Sequence, residues 1–456
     1  MEPFSFILLE LAFIIGMAAV GRGLALRMGQ ASVLGELMVG VVLGNVAYWL
    51  GTPLGTVIMH FDDAQKLIEE VWVSGVSINE AAQNIFTTEE LAAGGMPHEL
   101  ISFMVGPHAM ELLLMTLTLW VFSNLGVILL LFMVGLENTI SEMLKVGSRS
   151  LVVSIAGVAV PFMLGMVVAA WLLPDLPVPA HLFIAATLCA TSVGITARVL
   201  EDLGCLKSRE ARVILGAAVI DDILGLIILA IVMGIVSSGS IQVGEVSRII
   251  LLSVVFIFSV VMFGERLVSW MVRQFYHIFN KMQVKLLFPL ALAFLMAAFA
   301  NYIGLAAIVG AFAAGLIVCS ENFGFDKSPT TQELIEPIKA LFAPVFFVLM
   351  GMQVDLGTFL DSHTIWLAVV FTFVAIVGKV ASGLFAGKGV DRLSVGLGMV
   401  PRGEVGLIFA SIGKGLGVVD DAIFSAIVMM VIVTTLVTPV VLKWSLDRGL
   451  GSENAG

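Results

Sequence analysis

The chain has 456 residues, 59% of them hydrophobic and only 12% charged, with a mean hydropathy of +1.07 and a formal net charge of −11. Soluble domains carry about 25% charged residues, so a water-soluble core is excluded and the composition is that of an all-α polytopic membrane protein. Its three cysteines, Cys189, Cys205 and Cys319, lie in or beside apolar runs and suggest neither a disulfide framework nor a metal cluster.

Apolar runs bounded by Gly, Pro and charge clusters predict thirteen membrane segments. They lie near residues 6–26, 33–51, 109–136, 150–173, 181–200, 210–236, 248–271, 285–302, 304–320, 340–353, 364–387, 394–413 and 421–443. The first, "MEPFSFILLELAFIIGMAAVGRGLALR", lacks a basic start and a small-residue cleavage site, and is expected to be a membrane helix rather than a signal peptide. Residues 52–108 form an acidic extracytoplasmic loop, with Asp62, Asp63, Glu69, Glu70, Glu80, Glu89, Glu90 and Glu99 against Lys66 alone. Within it Ala64, Leu67, Ile68, Val71 and Trp72 recur on one helical face, the pattern of a short amphipathic helix on the membrane surface or packed on the bundle. The same acids also read as a vestibule concentrating cations, and His60, His98 and His108 add titratable groups.

The loops assign sides. Eighteen Lys and Arg fall in the loops of one side, and three, Lys66, Arg248 and Lys414, on the other. By the positive-inside rule the N-terminus is outside and the C-terminus cytoplasmic, in a cell (inner) membrane. The remaining two basic residues, Lys379 and Arg402, fall within membrane segments. A repeat accompanies this topology: "LFMVGLENTISEML" (131–144) overlays "FVLMGMQVDLGTFL" (347–360) without a gap, Gly135 on Gly351, and the two segments leave the membrane on opposite sides. Repeats of opposite orientation mark inverted-topology transporters.

Chemistry concentrates at "AAVIDDILGLI" (217–227), where Asp221 and Asp222 stand near the middle of an apolar run. An ionisable group there is costly and points to function. Burial disfavours a charged carboxyl and a second carboxylate disfavours it further, so protons leave such a pair in coupled steps. Ionised, the pair offers hard oxygen ligands to a metal cation such as Na⁺, held transiently. Protons and cation then compete for one site, which is the minimum an antiporter needs. Neighbouring helical residues point about 100° apart, so the two acids can serve different partners. Lys379, in "FVAIVGKVASGLF", is the available counter-charge for one of them and is able to exchange its own proton.

Two segments read as broken helices: "TLCATSVGITARVL" (187–200), dense in Thr, Ser and Gly, and "GMVPRGEVGLIFA" (398–410), with Pro401 and Gly403 around a charged centre. Unwound backbone survives in a bilayer only where protein or a water-filled cavity satisfies it, and transporter ion sites form there. Thr191 and Ser192 are candidates for further oxygen ligands; small polar residues also pack helices closely without binding anything. Arg402 and Glu404 are read as stabilising the broken ends.

Together "ATSVGITARVLEDLG", "AAVIDDILGLI", "AAIVGAFAAGLI", Lys379 and "PRGEVGLI" resemble bacterial sodium/proton antiporters of the cation:proton antiporter superfamily. The branch is the monovalent cation:proton antiporter-2 type, two-aspartate and electrogenic. "GELMVGVVLGN" and "LLLFMVGLE" fit the same family's early helices. The resemblance implies about thirteen transmembrane helices, with inverted repeats and two crossed broken helices, in one transporter unit spanning 1–456. Core helices would cover about 109–236 and 340–443 and dimerisation helices about 6–51 and 248–320, the core moving as an elevator in a homodimer. It assigns Asp222 as the principal cation and proton carboxylate, Asp221 as the lysine-paired one, Lys379 as its partner, and Thr191 and Ser192 as ligands of the break. Asn45 departs from the proline that many relatives carry, a change expected to be minor, and 52–108 is extra.

The expected activity is exchange of cytoplasmic Na⁺ (or Li⁺) for external H⁺. The alternatives are K⁺/H⁺ antiport in the same fold, or an uncoupled cation channel or sensor, although a channel wants rings of weak ligands rather than one charged site. No nucleophile–base set suggests an enzyme, and no phosphate loop or nucleotide-binding domain suggests ATP-driven pumping. Membrane lipids, monovalent cations and protons are the expected partners; no cofactor and no nucleic acid is expected.

Overall fold

In hydrocarbon a long apolar run can satisfy its own backbone only as a helix, and in the computed structural model the described residues form helices and connecting turns, with no strand among them. Those residues are 3–453 except 29, 31, 87–90, 92–95, 107, 137–139, 239–242, 276–280, 306, 319–328, 355, 358–361, 403–405, 407–408, 411–412 and 415–417. The order begins α1 (Pro3–Arg27), α2 (Ser32–Trp49), α3 (Pro53–Met59), α4 (Phe61–Ser74), α5 (Ile78–Ile85), α6 (Met96–Val105), α7 (Ala109–Leu136) and α8 (Ile140–Leu172). Next come α9 (Val178–Cys189), α10 (Val193–Asp202), α11 (Arg209–Ser238), α12 (Val243–Ser259), a π-helical turn (Val260–Gly264) and α13 (Glu265–Phe275). The chain continues through α14 (Lys281–Tyr302), α15 (Ala307–Ile317), α16 (Thr331–Met352), α17 (Ser362–Ser382), α18 (Arg392–Gly398) and α19 (Asp421–Glu453).

Ten stretches among the described residues are long and apolar enough to cross a membrane, α9 and α10 counting together as one. The other predicted segments fall on α11, which carries the two aspartates; on α15, 11 residues long; and on α18 with the residues after it. By Cα packing the chain divides into two units, residues 1–126 with 342–362, and residues 127–341 with 363–456.

The first unit holds α1 to α6, most of α7 and the end of α16. Small residues let its helices approach closely. A Cβ on Gly40 of α2 would run into the carbonyl of Val348, and one on Gly351 of α16 into the carbonyl of Leu37. Asn45 has a larger role than expected. At 1% exposure its amide donates to the carbonyls of Val41 (2.9 Å) and Val354 (2.6 Å), and its Oδ1 accepts from Leu356 N–H (2.9 Å). It ties α2 to the chain leaving α16, which a proline has no amide to do.

The acidic segment is structured where it is described. Val57, Ala64, Leu67, Ala81, Leu100 and Met104 gather with Leu112 of α7 into one apolar cluster, which joins α3 to α6 to the start of α7. Ala64 and Leu67 point inward as their spacing predicts, but Trp72 is 88% exposed. Eight residues after Ala64, it lies about 80° around the helix, at the edge of the stripe, so the predicted face ends at Val71. Glu89 and Glu90 lie outside the described residues.

In the second unit α15 meets the end of α7 as α2 meets α16. A Cβ on Gly315 would strike the carbonyl of Phe132, and one on Gly135 that of Phe312. In all four cases the glycine faces the carbonyl three residues before its partner glycine. Gly135 and Gly351, aligned by the sequence repeat, thus make equivalent crossings, each within its own unit. Elsewhere in the second unit α8 packs along α11, with Ser150 Oγ donating to the carbonyl of Val213 at 3.2 Å, and α17 presses Gly378 against Pro161 of α8.

Candidate functional site

Helix α9 ends at Cys189; Ala190 (φ −57°, ψ 148°) and Ser192 (φ −100°, ψ 110°) are extended, and α10 begins at Val193. A second break follows α18, where Val400 to Arg402 are non-helical, and Gly406 is helical again. The two breaks cross and satisfy each other: Ser192 N–H donates to the carbonyl of Pro401 at 2.8 Å, Thr191 Oγ1 to Met399 at 3.4 Å, and Thr196 Oγ1 to Gly398 at 2.7 Å. Thr191 and Ser192 are each 1% exposed. This answers the demand that unwound backbone in a membrane find partners.

Arg402 is fully buried beside the first break. Its guanidinium donates to the carbonyls of Ala190, Leu188 (2.6 Å) and Ala375 (3.2 Å), and its own carbonyl accepts from Thr435 Oγ1 at 2.8 Å. Leu188 is in the last turn of α9, so the cation sits at the negative end of that helix dipole and fills carbonyls that the break leaves open. Arg402 therefore braces the broken end. Glu404 lies outside the described residues.

Lys379, on α17, is fully buried, and its Nζ donates to both oxygens of Asp221 on α11, at 3.0 and 3.2 Å. Asp222 follows one residue on, with 8% of its surface exposed against 2% for Asp221. One acid is thus taken up by the lysine, while its neighbour points about 100° away. Several residues that carry no charge hold this geometry. Gly157 of α8 faces Lys379, and a Cβ there would make ordinary contact with Nζ at 3.5 Å. Gly378 brings α17 onto α8 one residue before the lysine, and Ser382 Oγ donates to the Lys379 carbonyl at 2.6 Å. Cys189, at the end of α9, lies within the electrostatic reach of Lys379, Asp221 and Arg402. Gly157, Gly378 and Ser382 were not singled out from the sequence, where the available signal was the glycine preceding the lysine.

A membrane-spanning helical fold, with two crossed helix breaks beside a buried lysine–aspartate pair, is the architecture of an inverted-repeat secondary transporter. The chain belongs to the sodium/hydrogen exchanger family, whose transmembrane profile matches residues 98–448. It is 35% identical to the high-affinity Na⁺/H⁺ antiporter NhaS3 of Synechocystis sp., across 98% of this chain and 91% of the relative. Identity is also 35% to the Na⁺/H⁺-K⁺ antiporter GerN of Bacillus cereus, across 76% of this chain and 88% of the relative. Its fold is similar to the solved structure of the sodium proton antiporter MjNhaP1 from Methanocaldococcus jannaschii, with a TM-score of 0.56, 13% identity and 98% of both chains covered.

Proposed function

We propose that the protein exchanges cytoplasmic Na⁺ (or Li⁺) for external H⁺ across a cell membrane, electrogenically, as a member of the two-aspartate branch. The observation that carries this reading is the asymmetry of the acids: Lys379 neutralises Asp221, and Asp222 stands beside the pair as a second carboxylate. Asp222 is the principal carrier of cation or proton, with Thr191 and Ser192 completing the oxygen set. When Na⁺ arrives, Asp222 gives up its proton, and the Lys379–Asp221 pair opens and releases the second from the ammonium. Two protons against one Na⁺ move one net charge inward, so 100 mV, inside negative, adds about 2.3 kcal/mol per cycle. The conformational step is an elevator movement of the helices carrying the aspartates and the crossed breaks, against dimerisation helices in a homodimer.

A second reading, K⁺ as an additional or alternative cation, is favoured by the resemblance to GerN, whose name includes K⁺. The test is proton flux in proteoliposomes under an imposed pH gradient, with Na⁺, Li⁺ or K⁺ added while voltage is clamped or released. Voltage-dependent, Na⁺-triggered proton movement that falls to background in Asp222→Asn is the expected result. A response to K⁺ alone replaces the substrate. Cation flux without protons overturns the antiporter reading in favour of a channel.

A further inference from the structure

A cavity of about 260 Å³ is bounded by α8, α11, α12, the π-helical turn and α15, and none of Asp221, Asp222, Lys379, Thr191 and Ser192 is in its lining. Apart from Ser150, its lining is made of apolar side chains and glycines, including Phe256, Val260, Phe312 and Leu316. The Ser150 hydroxyl donates to the Val213 carbonyl, and its acceptor lone pairs alone are fewer polar partners than a buried water or ion needs. A hydrocarbon is the occupant the lining accepts. Ile257, 36% exposed, lines it beside the exposed apolar Val254 and Phe258, which offers a chain from the bilayer a lateral entrance.

At one end a second, open cavity touches Ile140, Ser141, Lys145 and Glu265, and Ile140 lines both spaces. Lys145 near the start of α8 and Glu265 at the start of α13 are exposed there, with opposite charges at one mouth. The mouth lies at the end of α8 that the positive-inside reading assigns to the cytoplasm. The π-helical turn shapes the wall between the two, Val260 and Val261 facing the apolar space just before Glu265. Such turns often mark functional sites.

We propose that this is a binding site for one phospholipid with an ammonium-bearing head group, of the phosphatidylethanolamine kind. One acyl chain fills the apolar cavity, the phosphate meets Lys145 and the ammonium meets Glu265. The chain reaches Gly216, Val219 and Ile220, ending against the turn of α11 directly before Asp221. A lipid so placed wedges the helix of the aspartates against α12 and α15, so bilayer composition acts on the ion site from behind.

Gly147 provides the test, because it lines the cavity and a Cβ there meets nothing within 4 Å. The full chain is purified in mild detergent with phosphatidylethanolamine or phosphatidylglycerol, and bound lipid is counted by native mass spectrometry. Phosphatidylethanolamine should be retained at one per chain, and Gly147→Leu should lower retention by at least about tenfold, equivalent to about 1.4 kcal/mol. Lys145→Ala should weaken retention, and Glu265→Ala should erase the preference over phosphatidylglycerol. In the unmodified protein, a phosphatidylethanolamine carrying a mid-chain diazirine should crosslink to peptides containing Phe256–Val261 or Val309–Leu316. No retained lipid, equal retention by Gly147→Leu, no preference between head groups, or crosslinks only elsewhere would each overturn the proposal. None of these readouts requires transport, so a failure here leaves the antiporter reading standing, and the reverse holds equally.

Discussion

Two buried lysines of this chain meet carboxylates in different ways. Lys339 of α16, 1% exposed, lies between Glu201 and Glu336, the latter at 2.8 Å; Arg198 also holds Glu201 at 3.0 Å and reaches Asp202 at 3.4 Å. That cluster has redundant partners, and one of them, Glu336, is half in solvent. Among the described residues Lys379 is paired with one carboxylate, both groups are buried, and the next residue is a second acid. Where several partners share the charge, losing one leaves the others in place. Where a single pair balances it, every change of protonation or cation occupancy must rearrange the pair. The first arrangement suits holding α10 to α16, the second suits coupling ions.

The largest effect is expected from breaking the second arrangement on one side. Lys379→Ala leaves Asp221 buried without its cation, a loss of about 3–5 kcal/mol, read as a lower denaturation midpoint in detergent. The informative variant is the double replacement Asp221→Asn with Lys379→Met. It removes both charges, and apolar or neutral replacement of a whole buried pair is often close to neutral for stability. The fold should return while the voltage dependence of exchange does not. Recovery of voltage-driven exchange along with stability would show the pair to be only a packing element.

A smaller effect is expected from Lys339→Ala. Glu201 keeps Arg198 and Glu336 turns to water, so the cost should be about 1–2 kcal/mol, between the limits for exposed and buried pairs. Exchange per folded molecule should remain voltage-dependent. A loss as large as that of Lys379→Ala, measured in the same detergent, would erase the distinction between the two lysines.

This contrast was half visible in the sequence. Asp221, Asp222, Lys379 and Arg402 declare themselves because a charge inside an apolar run has no ordinary explanation, and the Thr, Ser and Gly around residue 191 announce a helix that cannot continue. Which oxygens the breaks satisfy was not legible, since Thr196 reaches Gly398 across 202 positions of chain. Nor was the glycine that brings the lysine's helix onto α8. With 46 glycines in the chain, Gly378 gains meaning only from Pro161 opposite it. Asn45 looked like a neutral exchange for the same reason, its value lying in a carbonyl and an N–H more than 300 residues away. In the acidic segment the face of Ala64 and Leu67 was legible from its spacing, but its partners Ala81, Leu100, Met104 and Leu112, on helices further along the chain, were not.

The smallest effect concerns a carboxylate outside the membrane segments, where the solvent rather than a lysine sets the balance. Asp391 caps α18, accepting from Leu393 N–H at 3.2 Å, Ser394 Oγ at 2.6 Å and Ser445 Oγ at 3.3 Å. Partial burial pushes its carboxyl upward, but the hydrogen bonds from Ser394, Leu393 and Ser445 together outweigh it and leave the group below its ordinary value. A depressed carboxyl contributes stability that is complete above its unfolded value and is lost as pH falls through the folded one. Asp391→Ala should therefore cost about 1 kcal/mol at neutral pH, as for other helix caps, and the difference from the unmodified chain should shrink as acid is added. Asp391→Asn keeps the cap and removes the titration, so it should hold most of the neutral-pH stability while flattening the acid limb of the melting curve. An acid limb unchanged in Asp391→Asn would mean that this carboxylate, unlike those on α11, contributes nothing through its charge.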